Sequence, residues 1–251
     1  MDVSSNSVKT APAGQQVRAP LHTIVTLLCI VSGSLDAISF LALGEAFSSV
    51  MTGNIVFIGI SVGTFNSRMA LYCGLAIVSY VLGVVLGSWL AKRWTRSSDC
   101  RIWPSCVAKT LGVQLGVLFV ASLVWIFLSG EFSDHFDLVF LSMAAGAMGI
   151  QAAAVRKIGV QVSTTYMTGA LTTLLEALVT GRNLSHTETS AIGGLTALAT
   201  GALLGSVVLT LNRSLALLVP TLALSGVVAM LLWCARPKRR ISDRNVQRDE
   251  Q

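Results

Sequence analysis

The sequence predicts an all-α polytopic membrane protein: six transmembrane spans plus two short re-entrant half-helices, arranged as two inverted-topology repeats. Three observations carry this expectation. The apolar residues run unbroken for about 20 positions at a time, the length a helix needs to cross a bilayer. The basic residues sort to one side of the membrane only if two of the apolar segments do not cross it. Two glycine-bearing motifs recur in the same order in the two halves of the chain. Of 251 residues, 53% are hydrophobic and 12% charged, with a mean hydropathy of +0.71. Soluble domains carry about 25% charged residues, so a water-soluble enzyme with one compact core is excluded. A disordered chain needs the opposite composition. Transmembrane β-barrels alternate apolar and polar positions over about 10 residues, and no such alternation is present.

Eight apolar segments follow one another: His22–Leu43, Val50–Phe65, Ala70–Ala91, Cys106–Ser129, Leu138–Val155, Thr164–Thr180, Ala191–Leu211 and Ser214–Ala235. The first begins after a polar stretch with Lys9 and Arg18 and contains Asp36, which fits an uncleaved first helix rather than a signal peptide. The second and sixth are short for a span and open with a polar, glycine-bearing patch. If all eight crossed from a cytoplasmic N-terminus, eight of the 18 basic residues would lie outside, among them Lys92, Arg93, Arg96, Arg101 and Lys109. If the second and sixth enter and leave on one face, only Arg68 and Arg213 lie outside, and the acidic loop with Glu131, Asp134 and Asp137 becomes external. Cytoplasmic loops collect Lys and Arg, so the second arrangement is expected, with both termini cytoplasmic. The resulting plan is a cytoplasmic tail over 1–21, a membrane repeat over 22–129, an external loop over 130–137, a second repeat over 138–235 and a basic cytoplasmic tail over 236–251.

The repeat has an independent signature. Met51-Thr52-Gly53-Asn54 recurs as Met167-Thr168-Gly169-Ala170, an offset of 116, and Gly33 pairs with Gly149 at the same offset. Gly83-x-x-Leu86-Gly87-Ser88 recurs as Gly201-x-x-Leu204-Gly205-Ser206 at 118. An odd number of spans per copy turns the second copy upside down, the inverted design of many secondary transporters. Gly44–Val50 is expected to descend as an extended leg, reaching about 23 Å, before a helix from Thr52 to about Phe65 returns outward; the second copy is expected to start its helix near Thr168. Two helix N-termini would then face each other at the midplane and favour an anion or carboxylate. Thr52 and Thr168 would cap their helices or donate to the solute, Gly53 and Gly169 would admit close approach, and Asn54 supplies donors and acceptors.

Asp36 lies fifteen residues into the first apolar run. An intramembrane carboxylate costs about 2.5–3.5 kcal/mol on insertion scales and is a functional residue by default. It is the candidate proton or cation coupling site, against the alternative of a structural hydrogen bond to a serine or a re-entrant backbone N–H. Glu176 is a secondary candidate that could line a vestibule or pair with Arg182 or Arg156. Gln151 is another, although Gln114 and Gln151 read first as interhelical hydrogen-bond partners. The G-x-x-x-G pairs Gly83/Gly87, Gly112/Gly116 and Gly201/Gly205 predict close helix packing.

The five cysteines form no C-x-x-C pair and give no disulfide framework or metal site; His186 and Glu188 lack the further ligands a metal needs. The net charge of +6 reports membrane sidedness rather than nucleic-acid binding. No nucleotide loop, catalytic triad order or cofactor motif is present, so the expected protein is not an enzyme, takes no cofactor and has as partners the lipid bilayer and a small solute.

Gly33-Ser34-Leu35-Asp36-Ala37-Ile38-Ser39-Phe40 leading to Met51-Thr52-Gly53-Asn54 resembles the YoaK family of bacterial membrane proteins, a domain-of-unknown-function family, over residues 24 to 234. The resemblance implies about six spans and a bacterial inner membrane; it brings no substrate. The residues point to a small secondary transporter or facilitator for an anionic solute. The alternatives are a passive channel with the same midplane site and a non-transporting membrane scaffold.

Overall fold

A computed structural model describes residues 15–96, 103–128, 134–158, 164–182 and 186–235. The tails over 1–14 and 236–251, residues 130–133 of the external loop, Cys100 and the side chain of Thr168 lie outside the described residues. What is described is helical, with no strand: α1 Gln15–Ala42, α2 Met51–Gly63, α3 Ser67–Arg96, α4 Trp103–Phe127, α5 Asp134–Ile158, α6 Thr164–Thr180, α7 His186–Leu211 and α8 Leu218–Cys234, with a 3₁₀ turn at Arg213–Leu215 before α8. Six of these, α1, α3, α4, α5, α7 and α8, are long and apolar enough to cross a membrane. α2 has 13 residues and α6 has 17. At 1.5 Å per residue they reach about 20 and 26 Å, short of a core about 30 Å thick.

Named contacts give the helix directions. Gly83 meets Gly146 and Gly87 meets Ile150, so α3 and α5 run parallel. Gly201 meets Ile30 and Gly205 meets Ser34, so α7 and α1 run parallel too. Trp125 stacks edge-on against Phe140, and Gln114 bonds Gln151, so α4 runs antiparallel to α5. Ser122 bonds Thr221 while Trp125 Nε1 donates to the Arg213 carbonyl, so α4 is antiparallel to α8 as well. At the end of α1 the chain turns through Gly44 (φ +90°) and Glu45 (φ +59°). A Cβ on Gly44 would fall 2.1 Å from the Tyr72 ring. The end of α1 therefore lies beside the start of α3, although α2 intervenes in sequence.

Lipid gives no hydrophobic drive for helices to associate, so bundles hold through close backbone approach and interhelical hydrogen bonds. Glycines supply the approach. A Cβ on Gly33 would meet the Leu198 carbonyl at 2.0 Å, and one on Gly149 the Tyr80 carbonyl at 2.2 Å. Added at Gly83 it would meet the Gly146 carbonyl at 2.1 Å, and at Gly201 the Ile30 carbonyl at 2.3 Å. The contacts Gly83–Gly146, Gly87–Ile150 and Gly149–Tyr80 between α3 and α5 have counterparts in Gly201–Ile30, Gly205–Ser34 and Gly33–Leu198 between α7 and α1, at offsets of 116 and 118. Enclosure follows the same pairing: α1 and α5 are the most buried spans, α3 and α7 the least.

The short helices also end alike. In α2, Phe65 (φ +56°) takes the left-handed position and Asn66 N–H bonds the Ser61 carbonyl; in α6, Gly181 (φ +65°) does so and Arg182 N–H bonds the Ala177 carbonyl. These are the same helix-closing turn, 116 residues apart. Phe65 bears the strain of a non-glycine residue there and is 94% exposed.

The sequence expectations need four corrections here. Gly112 and Gly116 face open space, with nothing within 4 Å of an added Cβ, so this G-x-x-x-G pair packs no helix. α6 begins at Thr164, one turn before Thr168, and α2 at Met51. Arg182 pairs with Glu188 at 2.7 Å, tying the end of α6 to α7, rather than with Glu176. Cys29, Cys73 and Cys234 are free thiols, but Cys106 is disulfide-bonded; an odd count concealed a bridge.

Valine at Gly33 or at Gly149 forces two backbones apart and should cost at least the roughly 1–3 kcal/mol of core overpacking. Alanine at Gly112 or Gly116 should be neutral or gain about 0.4–1 kcal/mol. Thermal unfolding in detergent separates the two classes; equal effects at Gly33 and Gly116 would mean that the close contacts carry no stability.

Candidate functional site

The candidate site gathers around the turn between α1 and α2. Asp36 is 7% exposed, the one buried charged residue among those described. It accepts three hydrogen bonds, all from one dipeptide: Oδ1 takes the Ser48 hydroxyl at 3.0 Å and the Ser49 N–H at 2.7 Å, and Oδ2 takes the Ser49 hydroxyl. Bonds to an ionised acceptor are about twice as strong as neutral ones. The three bonds give both carboxyl oxygens a partner inside an apolar bundle. The serine and backbone N–H partners are those of the structural alternative foreseen for Asp36.

Asn54 makes the second anchor. Fully buried, it turns its amide against a single peptide: Oδ1 accepts from Phe47 N–H at 2.9 Å and Nδ2 donates to the Phe47 carbonyl at 2.7 Å. The side chain thus satisfies both polar groups of a residue that no helix or strand serves. The rings of Phe40, Phe47 and Phe57, from α1, the turn and α2, stack with centroids 5.1 to 6.2 Å apart and cover the turn on its apolar side.

These anchors shorten the leg. Ser49 is level with Asp36, which stands six residues before the end of α1. The chain therefore backs down about 9 Å along α1, rather than the 23 Å of a fully extended leg, because the turn coils through Gly44 and Glu45 instead of stretching.

The predicted ligands fall into two groups. Asp36, Gly53 and Asn54 come together at the first turn, and a Cβ on Gly53 would press on the Phe47 ring at 3.1 Å. The N-cap of α2 is Val50, which has no side-chain bond to give. Thr52 therefore sits at the second helical position, exposed, and does not cap. Gly169 and Glu176 are exposed on α6. α2 packs on α3 and α6 on α7; among the described residues neither short helix packs along the other.

Gln151 lies deeper. Its Oε1 accepts from Gln114 Nε2 at 2.8 Å, and its Nε2 donates to the Leu28 carbonyl and to Ser32 Oγ at 3.2 and 3.1 Å. The expectation that Gln114 and Gln151 bond between helices holds. Sequence reasoning missed Phe47, Ser48 and Ser49 as partners; the signal was two adjacent hydroxyls in the leg between α1 and α2. Among the described residues, no group of three His, Cys, Asp or Glu could hold a metal ion.

Replacing Asn54 by leucine strands two buried backbone groups, each worth about 1–3 kcal/mol. Asp36→Asn keeps the size but loses an acceptor. Both should unfold well below wild type in a thermal melt, while Thr52→Ala, at an exposed site, stays within about 0.5 kcal/mol. Equal melts for Asn54→Leu and Thr52→Ala would remove the anchoring role.

A family model described as "Protein of unknown function (DUF1275)" matches residues 24–231. The chain is 33% identical over 162 residues to the UPF0700 transmembrane protein YoaK of Bacillus subtilis (strain 168), a match spanning 62% of this chain and 66%, just under two thirds, of that relative. No solved structure matches.

Proposed function

The chain belongs to the DUF1275 family, and from that premise and the geometry above we propose a small secondary transporter or facilitator of inverted-repeat design, non-enzymatic, in a bacterial inner membrane with both termini cytoplasmic. In this reading α2 and α6 are re-entrant. The observation that carries it is the contact of Gly44 with Tyr72: α3 starts where α1 ends, so the chain between them goes in and comes back. The antiparallel pairing of α4 with α8 fits six crossings, since eight alternating crossings would make those two helices parallel. The recurrence of the glycine contacts and of the closing turns at Phe65 and Gly181 supports two copies related by a two-fold axis.

Function follows from where the irregular backbone lies. Non-helical segments at membrane depth are tolerated where protein buries them or where they line a cavity, and short interrupted helices in matching positions of two halves point to a transporter site. The solute is small. The N-terminal turns of α2 and α6, with Thr52, Gly53, Thr168 and Gly169, favour its anionic or carboxylate end. Asp36 is the coupling residue: its proton and the position of the α2 turn are linked through Ser48 and Ser49.

Two measurements test this. Cysteines placed at Ser67 and Ser185 should label from opposite faces of the membrane; labelling from one face would sink the re-entrant topology. A panel of small carboxylates should contain one that stabilises the wild type by about 2.7 kcal/mol at a hundred times its dissociation constant. The Thr52→Val and Asp36→Asn variants should gain much less. A panel without any stabilising solute, joined to proteoliposomes with no flux, would leave a scaffold as the better reading.

A further inference from the structure

The orientation of the buried glutamine pair is forced. The Leu28 carbonyl can only accept, so Gln151 must turn Nε2 toward it and toward Ser32, whose own hydroxyl donates to the same carbonyl at 3.1 Å. Gln151 Oε1 then faces α4, and Gln114 must answer with Nε2. Gln114 Oε1 is left pointing into the bundle without a partner, on a side chain with 0% exposure. Flipping either amide does not help, since it sets two acceptors or two donors against each other.

A second unmet polar atom is the hydroxyl of Ser39, which is buried, has no hydrogen-bond partner and can donate as well as accept. Ser32, Asp36 and Ser39 share one face of α1, spaced by four and three residues. They run about 10 Å along the helix, from the glutamine pair toward the α2 turn. Buried polar atoms in native proteins are almost always satisfied by protein or by bound water. The Gln114 oxygen calls for a donor from outside the chain, and the Ser39 hydroxyl for a polar partner of either kind.

We propose that Gln114, Gln151 and Ser32 form a buried binding site for a small hydroxyl donor, either water or the hydroxyl of a solute, at the inner end of a polar line along α1. The site presents one unmet acceptor, Gln114 Oε1, and the Asp36 carboxyl stands one turn from Ser32 along α1, so it takes a neutral or protonated donor and rejects a bare anion. Its purpose rests on the membrane-passage reading; its geometry does not.

The test is an experimental structure of the full chain at about 2 Å resolution, in lipid, without and with glycerol. The expected result is a non-protein peak within about 3.2 Å of Gln114 Oε1. A single round peak in both preparations assigns water; an elongated peak confined to the glycerol preparation assigns the solute hydroxyl. A bare Oε1 in both, or one satisfied by a protein donor, overturns the proposal. Gln114→Met should lose the peak with the helices unmoved; a peak retained in that variant would also overturn it. Proteoliposome swelling in glycerol separates this from the transport reading: an occupied site in a protein that passes nothing would end the passage reading and leave the site standing.

Discussion

Everything in the first half of the molecule depends on satisfying three residues of non-helical backbone within an apolar bundle. Phe47, Ser48 and Ser49 have no helix to absorb their polar groups, and no water is at hand in hydrocarbon. Asn54 takes both groups of Phe47, and Asp36 takes the Ser49 N–H with two hydroxyls. The carboxylate and the turn justify each other. Without the turn, Asp36 would be an uncompensated buried charge; without Asp36, the turn would hold unmet donors. If Asp36 also couples a proton, as proposed, that role would use the same three hydrogen bonds that hold the turn.

The recurrence between the halves is selective. What recurs is packing that involves only backbone and small residues: the glycines of α3 against α5 and of α7 against α1, and the closing turns of the short helices. What does not recur is the side-chain anchoring. The positions that answer to Asp36 and Asn54 are Ala152 and Ala170, neither of which can accept or donate through its side chain. The first short helix is tied at its start, by Asp36 and Asn54, while the described tie of the second lies at its end, in the Arg182–Glu188 pair. Halves with matching glycine contacts but different points of attachment for their short helices would, in the proposed transporter, be able to move differently against the same core.

Spacing made the long helices legible, because apolar length and the sidedness of basic residues depend on the solvent and hardly on the partner. The sixth segment was even bounded correctly, from Thr164 to Thr180. The glycine pairs were half legible. Gly83/Gly87 and Gly201/Gly205 face partners, but Gly112/Gly116 has the same spacing and faces open space, since spacing gives a face and not what lies opposite it. Asn54 was visible as a polar residue near a helix start, but its partner was not: a side chain reaching back seven residues to one peptide is decided by how the turn coils, not by any local pattern. The capping role expected for Thr52 fails for the same reason, since a helix that starts at Met51 with Val50 as its N-cap puts Thr52 two residues too late to cap.

The chemistry of the two ends of the polar line constrains any solute that uses both. The start of α2 offers N–H groups and a partial positive charge, which favour an acceptor. The other end offers Gln114 Oε1 from α4 and the Asp36 carboxyl from α1, which favour a donor, with the Ser39 hydroxyl able to accept or donate. A bare anion suits the first and is repelled by the second; a bare cation does the reverse. A neutral carboxylic acid carries both groups within a few ångströms, with the carbonyl as acceptor and the hydroxyl as donor. It is also the species that an anion becomes when it moves together with a proton. In the proposed transporter, the preference of the helix start for a carboxylate and the buried carboxyl of Asp36 would then serve one end, the recognition of a weak acid in its protonated form.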